Sequence, residues 1–384
     1  MSVAKLAKTI TPAKTILFAG GGTGGHLFPG IALAEEFLRR EPNTKIVFAG
    51  TRRGIEARVI PELGYPLAFL EVHGLVGVSG LRRLKALFNF PKAVIQALII
   101  LVRYRPALVV GLGGYASAPV LLAAMVAGLP WVLQEQNAFP GLVNRLLAPW
   151  ANAVFIAFAK AKEHLKSRKV YDFGNPLRTQ LQRPDASGGA VSEPLSEHLE
   201  EKNFNILIIG GSQGAHVLNR VVPSAFAKLA ERYPVKIVHQ TGLSDFAEVK
   251  KNYDAWPERV EVVEFINEIE EYYKNADLII CRAGALTLAE LGELGKPAIL
   301  VPFPHAAHDH QTFNAKAVAD SGAAWLRVES EFESQSLADD VESLINNPQT
   351  LTKMAEAALT QGRPKAREQI VDHCLQLMGK GAIS

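Results

Sequence analysis

Thr15-Ile16-Leu17-Phe18-Ala19-Gly20-Gly21-Gly22-Thr23-Gly24-Gly25-His26 runs an apolar, β-branched strand pattern straight into a glycine-rich loop. Asn205-Ile206-Leu207-Ile208-Ile209-Gly210-Gly211-Ser212-Gln213-Gly214-Ala215-His216 does the same 190 residues later. Ile16, Leu17, Gly20, Gly21, Gly24 and His26 fall on Ile206, Leu207, Gly210, Gly211, Gly214 and His216. A strand that ends in glycines and opens a helix is the first unit of a nucleotide-binding fold, because glycine permits the sharp turn and lets backbone N–H groups approach a phosphate. Two such units in 384 residues predict an α/β protein with two Rossmann-like domains, whose parallel sheets face each other across a cleft.

The pattern continues outward from both loops. Short runs rich in β-branched residues alternate with helical periodicity at Thr15–Ala19, Lys45–Ala49, Leu108–Val110, Trp131–Leu133, Asn205–Ile209, Lys236–His239, Glu261–Phe265, Asp277–Cys281 and Ala298–Val301. That alternation calls for crossover helices between parallel strands. The Ser-, Gly- and Pro-rich stretch Arg183–Glu197 reads as the connection. The expected organisation is an N-terminal domain over 1–176, a linker over 177–202 and a C-terminal domain over 203–362. In the tail, 363–384, Ile370, Val371, Cys374, Leu375 and Met378 share one helical face, which should pack back on the first domain.

Composition narrows the class. With 48% hydrophobic and 21% charged residues, the chain is ordinary globular material. Two cysteines, Cys281 and Cys374, supply neither a disulfide framework nor a zinc site. The apolar run after Lys5, Lys8 and Lys14 is too short for a signal peptide, so export is not expected. Ala93–Val102 and Ala118–Leu133 fall short of a membrane span. The net charge of +3 conceals a division: residues 1–175 carry 21 Lys+Arg against 9 Asp+Glu, and the remainder 20 against 29. A basic half suits an anionic partner. Nucleic acid is not that partner, since no recognition motif or interleaved stacking aromatics accompany the charge.

Gly20–Gly25 formally fits a dinucleotide fingerprint, yet the second strand ends in Gly50-Thr51-Arg52-Arg53, where the fingerprint wants a carboxylate for the ribose. No loop ends in Gly-Lys-Ser/Thr, so a Walker site is also excluded. The loops read as backbone donors at helix N-termini, which attract phosphate without naming its carrier. Further junctions at Gly113–Pro119 and Cys281–Glu290 belong to the same cleft, because ligands of open α/β sheets bind beyond the carboxyl ends of the strands. His305, His308 and His310 around Asp309 lack a regular helical pair, and no metal site is expected there. Nor does an Asp-x-Asp motif follow a strand.

Taken in order, GGGTGGHLFPGIALAEEF, GLGGYASAP, QEQNAFPGLVNRLLAPWA, GNPLR, GGSQGA, CRAGALTLAEL and DHQTFNA resemble the MurG family of bacterial cell-wall glucosaminyltransferases from about Ile16 to Ala315. The resemblance implies a B-type glycosyltransferase fold. It also implies an inverting transfer of N-acetylglucosamine from UDP-N-acetylglucosamine to the 4-hydroxyl of undecaprenyl-diphosphate-linked muramoyl-pentapeptide, lipid I to lipid II. The C-terminal half would hold the donor and the N-terminal half the acceptor. Donor contacts carried over by motif are Thr23, Gly24, Gly25, Asn137, Arg178, Ser212, Ile266, Ala285, Leu286, Thr287, Leu288, Ala289, Glu290 and Gln311. Glu290 would accept the ribose hydroxyls, Ser212 would meet the diphosphate, and Arg178 would offer a planar fork to phosphate or uracil. The sequence departs from the family at Gln134, where His is common.

Catalysis requires a base for the acceptor hydroxyl. His26 is the first candidate, since an ordinary imidazole is mostly neutral near pH 7 and a helix start disfavours its protonation. Glu135 is the rival, with Tyr115 helping to bind the acceptor. No cofactor is obligatory, and a divalent cation would accompany the diphosphate only loosely. The lipid acceptor implies peripheral docking on the anionic cytoplasmic face of the bacterial plasma membrane. Leu81, Leu84 and Phe88, flanked by Arg82, Arg83 and Lys85, form the expected contact, and Pro91 would begin a second helix whose Ala93–Val102 stretch is core. Two other readings share the fold: a UDP-N-acetylglucosamine 2-epimerase and a membrane-associated scaffold that binds nucleotide sugar without turnover.

Overall fold

The computed structural model describes residues 14–72, 80–178, 181, 203–211, 213–306 and 309–380, with backbone alone for 80–89 and 380. The N lobe alternates β1 (Thr15–Gly20), α1 (Gly24–Arg40), β2 (Lys45–Gly50), α2 (Glu56–Glu62), β3 (Leu67–Phe69), α3 (Gly80–Tyr104), β4 (Leu108–Gly113), α4 (Ser117–Val126), β5 (Trp131–Glu135), α5 (Leu142–Leu147), β6 (Ala153–Ile156) and β7 (Val170–Asp172). The C lobe runs β8 (Phe204–Ile209), α6 (His216–Ala230), β9 (Val235–Gln240), α7 (Phe246–Asn252), β10 (Val260–Val263), α8 (Glu270–Asn275), β11 (Leu278–Cys281), α9 (Ala285–Leu294), β12 (Ala298–Leu300), α10 (His310–Asp320) and β13 (Ala324–Leu326). Three helices follow: α11 (Ser334–Ile345), α12 (Pro348–Gln361) and α13 (Ala366–Lys380).

The seven-stranded N-lobe sheet has the order β3-β2-β1-β4-β5-β6-β7 and the six-stranded C-lobe sheet β10-β9-β8-β11-β12-β13. Every pairing is parallel, with Ile16 opposite both Ile46 and Leu108, and Leu207 opposite Ile279. Both faces of each sheet are covered, so strands such as β1 and β4 are buried along their whole length. In each lobe the strand order reverses beside the first strand, at β1/β4 and at β8/β11, where a doubly wound sheet opens its ligand crevice.

Four strands were not legible in the sequence. β3, β7 and β13 have only three residues each, and β6 is masked by the apolar residues around it. The α3 region also corrects an expectation, because one 25-residue helix passes through Pro91 without a break. Proline forfeits a single N–H bond there, while Ala93, Ala97, Ile100 and Leu101 anchor the helix on the N-lobe sheet. The opposite face is not core. Ile95, Ile99 and Val102 are 59, 61 and 73% exposed.

α13 returns to the N lobe to pack on α1, where Ile370, Val371, Cys374 and Met378 join Ile16, Phe18, Phe37 and Phe48 in one cluster. Arg40 pairs with Asp372, and Arg367 lies 3.5 Å from the buried Glu36 carboxylate. Ile370 is fully buried. Ile370→Ala should therefore cost about 2–5 kcal/mol through lost burial and a residual cavity. A lower urea midpoint for the N-lobe transition reads that loss, and an unchanged midpoint would place α13 outside the N-lobe core.

Candidate active site

The helices that open at the crevice share an electrostatic character. α1, α4, α6 and α9 follow the carboxyl ends of β1, β4, β8 and β11, and none has a capping side chain or an acidic residue in its first turn. Their partial positive ends face the crevice, and the loop before α1 already meets the buried Glu56 carboxylate at the Gly22 N–H. They stand on both lobes.

Buried amides join the lobes at this edge. Asn314 of α10, fully buried, accepts the Ala138 N–H at 2.8 Å and donates to Asn137 Oδ1 at 3.1 Å and the Ala283 carbonyl at 3.3 Å. Asn175 donates to the carbonyls of Gln136 and Ala285, each at 3.2 Å, and accepts from Gln134 Nε2 at 3.0 Å. Phe139 stacks on Phe313 with centroids 5.0 Å apart, and Lys160 pairs with Asp320 at the rim. Asn314 and Asn175 were not singled out from the sequence. The signal for Asn314 was its place three residues after Gln311 on one helix, and so on the same face.

His26, half-buried in the first turn of α1, lies against Gly113 and Gly114, where a Cβ would stand 3.4 and 3.6 Å from its ring. Its Nδ1 is 2.8 Å from Gln136 Oε1. The orientation of that amide is fixed, since Gln136 Nε2 faces the carbonyls of Leu112 at 2.9 Å and Gln134 at 3.2 Å as well as Gln134 Oε1. His26 Nδ1 must then donate, and the lone pair of a neutral ring resides on Nε2.

Glu135 is differently placed. Its carboxylate is 1% exposed and accepts the N–H groups of Asn137 at 2.9 Å and Gly141 at 3.0 Å, together with Asn144 Nδ2 at 2.8 Å and Asn137 Nδ2 at 3.4 Å. It ties the loop after β5 to the start of α5. Its oxygens are occupied by donors from the loop after β5 and from Asn144 of α5.

On the C lobe, Glu290 of α9 accepts the Tyr273 hydroxyl at 2.8 Å. Burial raises its pKa to about 7 against the opposing effects of Tyr273 and the Arg178 charge. Arg178 lies with its guanidinium 4.3 Å from the Phe28 ring centroid, between α1 and α9. Thr23 and Gly25 are exposed at the first loop, with Gly24 over Phe28. Tyr115 is exposed at the start of the β4–α4 junction. Ile266, Ala285 and Leu288 are buried, and Leu286, Thr287 and Ala289 half-buried. Gln311 accepts the Phe303 N–H at 3.0 Å.

Ser212 and His308 lie outside the described residues, as do the side chains of Leu81, Arg82, Arg83, Leu84, Lys85 and Phe88, whose backbone forms the start of α3. Among the described residues no three His, Cys, Asp or Glu side chains are grouped as a metal site.

Residues 16–156 match the glycosyltransferase family 28 N-terminal domain and residues 205–370 its C-terminal domain. A transferase of Myxococcus xanthus, named for UDP-N-acetylglucosamine and N-acetylmuramyl-(pentapeptide) pyrophosphoryl-undecaprenol, is 46% identical over 364 residues, 94% of this chain and 93% of its own. The crystal structure of Acinetobacter baumannii MurG superposes with a TM-score of 0.77 at 31% identity, over 94% of this chain and 99% of that one. A UDP-N-acetylglucosamine 2-epimerase of Listeria monocytogenes shares the fold alone, with a TM-score of 0.62 at 17% identity over 94% of this chain and 95% of that one. The chain belongs to the family of UDP-N-acetylglucosamine–N-acetylmuramyl-(pentapeptide) pyrophosphoryl-undecaprenol N-acetylglucosamine transferases.

Proposed function

We propose that this protein is an inverting glycosyltransferase that moves N-acetylglucosamine from UDP-N-acetylglucosamine to the 4-hydroxyl of lipid I, giving lipid II for peptidoglycan. His26 Nε2 takes the hydroxyl proton as the acceptor oxygen attacks C1 of the donor sugar from the face opposite UDP. The bond from C1 to the diphosphate oxygen breaks, and the charge that develops on the diphosphate is met by the N-termini of α6 and α9. The observation that carries this assignment is the Gln136 amide, which holds His26 in the tautomer a base needs. Glu135 is assigned to holding its loop, with Tyr115 on the acceptor side.

Arg178 and Glu290 frame the nucleotide, with Glu290 accepting the ribose hydroxyls. Thr23, Gly24, Gly25, Asn137, Ser212, Ile266, Ala285 to Ala289 and Gln311 complete the donor side, Asn137 from the loop after β5 and Gln311 from α10, which the Asn314 contacts bring together. The N lobe, 1–176 with the tail, takes the acceptor, and 203–362 takes the donor.

Docking is peripheral, on the cytoplasmic face of the plasma membrane. Among the described residues no helix is long and apolar enough to cross a bilayer. Ile95, Ile99 and Val102 of α3 and Met125 and Val126 of α4 are exposed on two helices that pack together. They extend the apolar side of a helix whose first turns carry Arg82, Arg83 and Lys85. Apolar insertion and basic attraction together give reversible binding to an anionic leaflet.

Transfer of radiolabelled sugar to a short-chain lipid acceptor separates this reading from an epimerase or a scaffold, because only a transferase yields a disaccharide-lipid. His26→Ala should lower kcat by about 10²–10⁴-fold, and Gln136→Leu should lower it with UDP affinity preserved. A comparable loss in Glu135→Ala with a mild one in His26→Ala would move the base to Glu135. Affinity for UDP-N-acetylglucosamine, whose diphosphate diester does not titrate near neutral pH, should rise as pH climbs through about 7, where Glu290 loses its proton and gains acceptor capacity. Glu290→Gln should abolish that slope in calorimetry, and a slope retained would remove Glu290 from the ribose. Serine at Ile95, Ile99 and Val102 should weaken liposome binding while leaving turnover of a detergent-soluble acceptor unchanged. Equal liposome binding would exclude this face.

A further inference from the structure

Glu56 begins α2, yet its side chain serves the loop that precedes α1. The residue is 1% exposed. Oε2 accepts the Gly22 N–H at 2.7 Å, and Oε1 accepts the Thr51 N–H at 2.8 Å and the Thr51 hydroxyl at 3.0 Å. Glycines make the space for it: a Cβ at Gly21, Gly50 or Gly54 would stand 2.5, 2.6 or 2.0 Å from atoms of the Glu56 side chain. α1 itself supplies no capping side chain and no acid in its first turn, although the start of a 17-residue helix favours a negative charge.

The twin loop of the C lobe is built otherwise. A Cβ at Gly211 would meet nothing within 4 Å. Among the described residues no carboxylate accepts a backbone N–H from that loop. Asp245, at the start of α7, accepts instead from the side chains of His216 and Asn219. The two halves of the repeat therefore differ in one respect. The N-lobe loop carries its own carboxylate, and among the described residues the C-lobe loop has none.

We propose that Glu56 is a specificity-determining internal anion, which takes at Gly22 the place a phosphate oxygen would occupy in a nucleotide-binding loop of this kind. The phosphate-binding capacity of the first loop is thereby spent within the protein. A nucleoside diphosphate is left with the C-lobe loop, and the first loop instead presents Thr23 and His26 in a fixed position. The proposal draws on the preceding reading only for the identity of the donor. Its test is a melting temperature of the full chain, so a failure to transfer sugar would refute that reading without touching this one.

Glu56→Ala should melt below the wild type and recover most of the difference in formate or inorganic phosphate, compared with chloride at equal ionic strength. The wild type, with only its C-lobe loop open to phosphate, should gain less from phosphate and nothing from formate. Glu56→Gln keeps the size but must turn its NH2 group toward either the Gly22 or the Thr51 N–H, so it should melt low and gain nothing from formate. A Glu56→Ala protein that gains no more than the wild type from either anion would overturn the proposal. So would a Glu56→Gln protein that melts with the wild type, and that arm decides alone if Glu56→Ala does not fold.

Discussion

The arrangement depends on keeping buried amides satisfied where the two sheets meet. A side-chain amide sealed between lobes costs about 1–3 kcal/mol if its partners are missing, so Asn314, Asn175, Gln134 and Gln136 constrain one another. Asn314 holds the loop after β5 from the C-lobe side. Asn175 holds the same loop to the start of α9. Gln136 then has one orientation open to it, and that orientation sets which ring nitrogen of His26 donates. The tautomer of His26 is thus fixed through contacts that cross between the lobes.

The electrostatic design is complementary. Helices on both lobes bring uncapped N-termini to the crevice, and the half of the chain that carries the basic excess is the one proposed to face lipid and acceptor. Duplicated architecture does not mean duplicated function. Glu56 supplies the first loop with an anion from within, whereas the second loop has none among the described residues. A single carboxylate, accommodated by three glycines, separates two otherwise parallel junctions.

α3 shows how one helix serves two environments. Ala93, Ala97, Ile100 and Leu101 lie on the sheet while Ile95, Ile99 and Val102 remain outside. A stretch that is apolar on every side hides that division, since periodicity locates a buried face only when the other face is polar.

The sequence by itself determined the two glycine-loop units, the parallel α/β class and the membership of His26, Glu290 and Gln311 in motif-bearing junctions. Those features are local: strand, turn and helix start are written in consecutive residues. The tertiary structure decided what depends on residues far apart in the chain. It oriented Gln136 against His26 across 110 positions, set Asn314 against Asn137 across 177, and brought Glu56 to Gly22 across 34. Hydrogen bonding at such separations is fixed by the crossing of sheets and the packing of helices on them, and neither leaves a period or a spacing in the sequence.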